Sequence, residues 1–312
     1  MPACSSAGGP QGVPPLSQGA ARQDSASHPD AAPPGALVGR LFVVATPIGT
    51  LGDFSSRARE VLAAVKLILA EDTRQTARLL AHFAIRTPMR AFHDHNEDQV
   101  TPTLIARLAA GDDLALVSDA GTPLMSDPGY RLVRSCRDAG IEVRCVPGPS
   151  AITAALSVAG VAPLPFTFAG FPPARAGARA AFLGRLAAFD HTLVLFLSPH
   201  RLAAELAACQ AAFGANREAA LLAELSKLYE RCWRGPLGEL AGRAAVEQAR
   251  GEYTLVVAPP APPVAHAVTP AEAGRALQAV LDRGLDLAAA RRAAAQELKM
   301  SRRELYALLM SR

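Results

Sequence analysis

The feature that most constrains this chain is a short apolar run that breaks into a long loop of glycine and proline. Leu114-Ala-Leu-Val117 is apolar throughout, as a strand buried on both faces must be. It gives way to Gly121, Pro123, Pro128 and Gly129 before a helical pattern resumes at Tyr130. Further strands are expected at Leu41–Ala45, Leu67–Ala70 and Glu142–Val146, with a shorter one near Met89–Phe92. Helical patterns separate them, and strands alternating with helices give a parallel sheet. In such a sheet ligands sit beyond the carboxyl ends of the strands, which is where the loop after Val117 falls. Asp119, Thr122, Ser126 and Asp127 make this loop richer in polar groups than turning the chain requires.

The expected organisation is α/β. Residues 1–39 are Pro, Gly, Ser and Ala with few large apolar side chains, so they are expected to be a disordered extension. Residues 40–160 form an amino-terminal α/β domain, in which Asp53 is the expected N-cap of a helix running to Val65. Residues 161–258 form a second α/β domain, with strands near Phe166–Ala169, Leu193–Leu197, Ala219–Leu225 and Tyr253–Val257. Residues 259–312 are a linker and a small helical appendage with a basic face. Thr269-Pro-Ala-Glu272 and Ser301-Arg-Arg-Glu304 are capping boxes there.

Composition excludes several classes. The five cysteines are scattered and never spaced as CxxC, so neither a disulfide framework nor a zinc site is indicated, and a reducing cytoplasm is expected. No apolar run reaches membrane-spanning length, and the amino terminus has no signal-peptide core. The net charge of +4 permits an anionic partner without requiring one. Lysine occurs only at Lys66, Lys227 and Lys299 in a chain otherwise supplied with arginine.

The common catalytic fingerprints are absent. There is no GxxxxGK[ST] phosphate loop, no GxGxxG after a strand, no HExxH and no GxSxG elbow. His93 and His95 have no third metal ligand near them in sequence, so no metal is expected. The loops at the strand ends are more informative. Thr46–Gly49, Glu71–Arg74, Asp119–Pro123 and Pro147–Ser150 converge on one rim, where proline and glycine hold main-chain groups in set directions. The helix starting at Ser150 points its amino terminus at that rim.

Five segments in this order resemble one family: Leu41–Asp53, Ala70–Arg74, His93–Glu97, Val117–Tyr130 and Val146–Thr153. They are similar to the small-subunit ribosomal RNA methyltransferases I, of the tetrapyrrole-methylase fold that uses S-adenosylmethionine. Weaker echoes follow at Gly170–Pro173, Ser198–Arg201, Glu224–Glu230 and Arg250–Glu252. The resemblance implies methyl transfer to the 2′-hydroxyl of a cytidine in the decoding centre of 16S ribosomal RNA. It implies the small ribosomal subunit as partner and a homodimer. The cofactor would lie between two α/β domains. Pro47, Ile48 and Gly49 would contact it, as would Ala120, Gly121, Thr122, Pro123 and Met125, with Ser150 and Ala151 at the helix start. Phe196 and Tyr253 would close the other side. Relatives often carry a glutamate where this chain has Leu197, so no catalytic role is carried over to that segment.

A ribose hydroxyl is a poor nucleophile at neutral pH, and a base helps. Asp72 is expected to accept the proton and Arg74 to hold a phosphate. Lys227 could serve only if its surroundings lower its pKa. Plain Asp72–Arg74 and Glu224–Lys227 ion pairs are equally compatible with the residues. For RNA contact, Arg175, Arg179 and Arg185 form one basic group, and Arg291, Arg292, Lys299, Arg302 and Arg303 form another. Two rivals stand beside this reading. One is a same-fold methylase acting on a tetrapyrrole or a protein side chain; the other is a non-catalytic RNA-binding protein.

Overall fold

The structure is a computed structural model in which residues 38–246, 249–261 and 268–311 are described. The expected disorder of the extension falls outside these residues up to position 37. Gly39 already belongs to the fold, since its N–H bonds the Leu108 carbonyl at 2.8 Å.

The first lobe is a five-stranded parallel sheet. Its strands are β1 (Leu41–Val44), β2 (Leu67–Ala70), β3 (Met89–Ala91), β4 (Leu114–Val117) and β5 (Val143–Val146), in the order β3-β2-β4-β1-β5. Helices α1 (Ser56–Ala64), α2 (Thr73–His82), α3 (Glu97–Ala109), α4 (Tyr130–Asp138) and α5 (Ala151–Val158) connect or follow them. The central position of β4 explains its uniform sequence. Leu114 and Leu116 enter the core on one face, and Ala115 and Val117 enter the core on the other. The chain leaves β1 toward β2 and leaves β4 toward β5, so a crevice opens between these two neighbouring strands.

One local expectation fails. Asp53 lies in a short 3-10 turn, Leu51–Asp53, and the cap of α1 is Ser55, whose side chain accepts the Ala58 N–H at 3.1 Å. Asp53 instead accepts the Ser226 hydroxyl at 2.6 Å, a partner 173 residues away.

The second lobe is a mixed sheet. It contains β6 (Phe166–Phe168), β7 (Thr192–Leu197), β8 (Glu218–Ala223), β9 (Arg231–Pro236) and β10 (Tyr253–Val257), ordered β6-β7-β10-β8-β9. β6 and β7 are parallel, and the remaining pairings are antiparallel. Helices α6 (Ala176–Leu186), α7 (Leu202–Phe213) and α8 (Leu237–Val246) cover one face. Strand β9 has no counterpart among the expected strands. Its sequence Arg-Cys-Trp-Arg-Gly-Pro lacks apolar alternation, because as an edge strand it buries little and is specified by its pairing with β8.

The other face of this sheet packs on the first lobe. Val194, Ala220, Leu222 and Val256 share a core with Ile48 and with Ile152, Ala155 and Leu156 of α5. The two lobes are therefore joined by apolar burial beside the crevice. The appendage is three helices, α9 (Pro270–Leu281), α10 (Leu287–Glu297) and α11 (Arg302–Met310), with their own small core. Both capping boxes are formed, at Thr269/Glu272 and Ser301/Glu304. Among the described residues no helix is long and apolar enough to cross a membrane.

Candidate active site

The loop after β4 carries the first wall of the site. Four of its residues have positive φ: Gly121 (84°), Leu124 (72°), Ser126 (77°) and Gly129 (126°). Leu124 and Ser126 have side chains that disfavour this region, so the loop holds strain that its surroundings must oppose. The opposition is visible. Thr46 and Gly121 bond each other's backbone at 2.8 and 3.1 Å, and the Thr46 hydroxyl donates to the Ser118 carbonyl at 3.1 Å. Thr122 donates to the Pro149 carbonyl at 3.1 Å. At the far end the buried Glu97 carboxylate accepts the N–H groups of Arg131 and Leu132 at 3.0 and 3.1 Å, capping α4 from a different helix.

Both lobes line a cavity of about 300 Å³ at this loop, at the lower end of the range for small-molecule sites. Of the residues expected at a cofactor, Ile48, Ala120, Gly121, Thr122, Met125, Ser150, Ala151, Phe196 and Tyr253 line it. Pro47, Gly49 and Pro123 fall outside the lining. Gly49 has a different use: a Cβ there would stand 2.6 Å from the Lys227 side chain and the Ser226 carbonyl, so its lack of one lets the lobes close. Ser150 begins α5 without a side-chain cap bond, leaving its hydroxyl available toward the cavity that it lines.

The lining also contains Glu71, Asp127, Phe171, Leu197 and Glu252, none of which was an expected contact. The carboxylates matter most. Burial pushes the Glu71 carboxyl up to about 7, with Asp127 and Asp119 adding repulsion. Burial also raises Asp127 to about 6, against a lowering hydrogen bond from Ser118 and with further repulsion from Asp119. Asp119 is raised by burial as well, while accepting the Asp72 N–H at 3.0 Å. A cavity with apolar walls and several crowded carboxylates suits a ligand that joins a flat aromatic ring to a positive charge. S-adenosylmethionine fits that description. Gly121 supports the fit, because a Cβ there would come within 3.2 Å of Ile48 and fill the floor. Among the described residues, no group of three or more His, Cys, Asp or Glu is placed to hold a metal ion.

The expected base is engaged in a helix cap and an ion pair. Asp72 caps α2 by accepting the Arg74 N–H at 2.8 Å, and its carboxylate pairs with the Arg74 guanidinium at 2.8 Å. Those bonds hold its carboxyl down at about 2, which makes it a weak proton acceptor. Arg74 is engaged by the same pair. Lys227 pairs with Glu224 at 2.9 Å and Glu252 at 3.2 Å. Burial works to lower its pKa, but the two carboxylates outweigh burial and hold it raised, so it stays a cation. The plain ion-pair alternative describes all three residues. Glu71, one position before the expected base, is the carboxylate poised near neutrality.

The basic groups divide similarly. Arg175 and Arg185 are exposed, but Arg179 is buried and donates to the Ala174 carbonyl at 2.9 Å, so it shapes its own loop and is removed from the RNA set. In the appendage Arg292, Lys299, Arg302 and Arg303 are exposed. Arg291 is half-buried with its guanidinium 5.7 Å from the Tyr306 ring centre.

Residues 40–241 match the family described as Tetrapyrrole (Corrin/Porphyrin) Methylases. Among relatives, the ribosomal RNA small subunit methyltransferase I of Xylella fastidiosa (strain Temecula1) is 46% identical over 270 residues, covering 86% of this chain and 98% of that protein. The protein of the same name from Pseudomonas aeruginosa is 47% identical, covering 78% of this chain and 87% of its own length. Two solved structures share the fold. Diphthine synthase aligns with a TM-score of 0.57 at 16% identity, over 70% of this chain and 89% of that one. Uroporphyrin-III C-methyl transferase from Thermus thermophilus, complexed with S-adenyl homocysteine, aligns with a TM-score of 0.51 at 20% identity, over 70% and 97%. With its sheet order, its strained loop after β4 and these relatives, the chain belongs to the tetrapyrrole methylase family and, within it, to the ribosomal RNA small subunit methyltransferases I.

Proposed function

We propose that this protein is a cytoplasmic S-adenosylmethionine-dependent methyltransferase acting on the ribose 2′-hydroxyl of a cytidine in the decoding centre of 16S ribosomal RNA. The observation that carries the reading is the acid-lined, apolar-walled cavity between the lobes, floored by Ile48, Gly121, Ser150 and Ala151. Bound S-adenosylmethionine would supply an activated methyl group on a sulfonium. Phe171, Phe196 and Tyr253 would close the wall against its aromatic ring, and Asp127 would balance its charge. Glu71 would accept the proton that the ribose hydroxyl gives up. Because the leaving group needs no activation, holding the oxygen in line with the methyl supplies much of the rate.

Calorimetry with S-adenosylmethionine, followed by methyl incorporation into free ribosomal RNA and into intact small subunits, tests the reading. We expect saturable heat of binding and incorporation that Ile48→Asp abolishes. A protein that binds no cofactor would end the enzyme reading, and one that binds it but methylates neither RNA would end the choice of substrate.

The basic appendage supports contact with the RNA backbone. Arg302 and Arg303 begin α11 on its exposed side, where phosphate contacts give affinity a steep salt dependence. Reversing both to Glu should weaken small-subunit binding and flatten the slope of log affinity against log salt by about one to two units. An unchanged slope would exclude this patch. For a homodimer, the support is an exposed apolar face at the edge strand β6, where Leu164 and Phe166 are 74% and 37% exposed.

A further inference from the structure

The connection from β8 to β9, residues Glu224–Glu230, is anchored on several sides yet turns two large apolar side chains outward. Backbone φ is 55° at Glu224 and 62° at Ser226, a region that residues with side chains rarely enter. Ser226 ties the loop to the first lobe: its hydroxyl donates to Asp53 at 2.6 Å, and its carbonyl accepts the Thr50 hydroxyl at 2.6 Å. Its N–H donates to the Glu230 carboxylate at 2.6 Å. Lys227 folds inward onto Glu224 and Glu252, and Leu225 is buried in the interlobe core. Leu228 and Tyr229 do the opposite, at 87% and 71% exposed. Nothing in the packing of the lobes requires an outward Leu-Tyr pair on so firmly held a turn.

The loop stands on the rim of the cavity. Gly49 contacts it next to Ile48, and Gly251 contacts it through Glu224, while Ile48, Gly251 and Glu252 all line the cavity. Arg231 follows directly, exposed and 5.1 Å from the Trp233 ring centre.

We propose that Leu228 and Tyr229 form a platform on which an unpaired base beside the target nucleotide stacks. The inference rests on the RNA substrate argued above. Where the RNA around the target is single-stranded, a neighbouring base is unstacked and leaves its face open to a protein surface. An aromatic ring held at the cavity edge replaces the lost stacking without reading which base it is. Because the turn is already fixed by its anchors, little ordering accompanies binding. Arg231 supplies positive charge for the adjoining phosphate.

The test is steady-state methyl transfer to small ribosomal subunits by the full-length protein, with cofactor affinity and sedimentation measured on each variant. Tyr229→Ala should raise KM for small subunits roughly 5- to 100-fold, the loss that removing one stacked base brings. Tyr229→Phe should restore it, since stacking needs the ring and not the hydroxyl. Cofactor affinity and oligomeric state should stay as in the wild type for both. Unchanged KM in Tyr229→Ala and in Leu228→Ala would overturn the proposal, as would a KM rise that Tyr229→Phe shares. A variant that changes sedimentation instead would assign the tip to contact between copies of the chain, also overturning it. Failure of the RNA reading shows separately, as wild-type protein that binds cofactor but transfers no methyl group to small subunits.

Discussion

Glu71→Gln should lower methyl transfer to small subunits by about 10²- to 10⁴-fold, the range spanned by removing a general base. The amide keeps the size of the side chain but cannot take a proton from the ribose hydroxyl. The wild-type kcat/KM, which reports the free enzyme, should rise with pH and level off above an apparent pKa near 7, because the Glu71 carboxyl is pushed up to about 7 and only its ionised form accepts the proton. In the Glu71→Gln variant that limb should vanish. Cofactor affinity gives a second readout. The Asp127 carboxyl, near 6, and that of Glu71 both become negative as pH rises, so a cationic ligand should bind more tightly through that window. A bound cation draws the same groups toward ionisation, and binding should release protons below about pH 7. Asp72→Asn is the matched control. Asparagine caps a helix as well as aspartate, so turnover should stay near that of the wild type. A Glu71→Gln enzyme with the wild-type rate and pH profile would remove Glu71 from the chemistry.

Glu205→Ala should be the most destabilising single change near the site. Glu205 is fully buried on α7, accepts the Ser198 N–H at 2.9 Å and pairs with Arg201 at 2.9 Å. Removing it leaves a partly buried amide without a partner and a cavity in the helix packing, for a loss of about 2–4 kcal/mol. Arg201 is 37% exposed, so water can re-solvate it, and the loss should stay below that of a fully buried pair. Glu205→Gln keeps the bond to Ser198 and should lose about 1 kcal/mol. The functional consequence is local. The turn Ser198–Arg201 carries Pro199, which with Leu197 lines the cavity, so cofactor affinity should weaken in the Ala variant even at temperatures where it is folded. Chemical denaturation decides the matter, and a change under about 0.5 kcal/mol would show that the pair does not hold the turn.

Much of the first lobe was legible because its signals are local. A strand buried on both faces must be apolar at every position, as Leu114–Val117 is, and the turns that follow must contain the glycine and proline that their backbone angles demand. The two capping boxes of the appendage are bonds between residues three apart, and they form as spaced. Strand β9 was not legible, because what makes it a strand is the hydrogen-bonding edge of β8 and not its own composition.

Residue types along the chain account for the alternation of strands and helices, the loops gathered at the strand ends, and a family resemblance carried by those loops. What separates two adjacent carboxylates is their packing. Glu71 and Asp72 are neighbours in the chain, yet one faces a crowded, buried set of acids contributed by the loop after β4, and the other is bound by Arg74 at a helix start. The same holds for Arg179, which charge along the chain groups with Arg175 and Arg185 but packing takes inside. A side chain's charge state and availability depend on groups brought in from distant parts of the chain, through burial and short-range electrostatics that no spacing along the sequence encodes. The strained loop from Ser118 to Gly129 shows both halves: its residue types announced a site, and its contacts with Thr46, Pro149 and Glu97 made it one wall of a cavity.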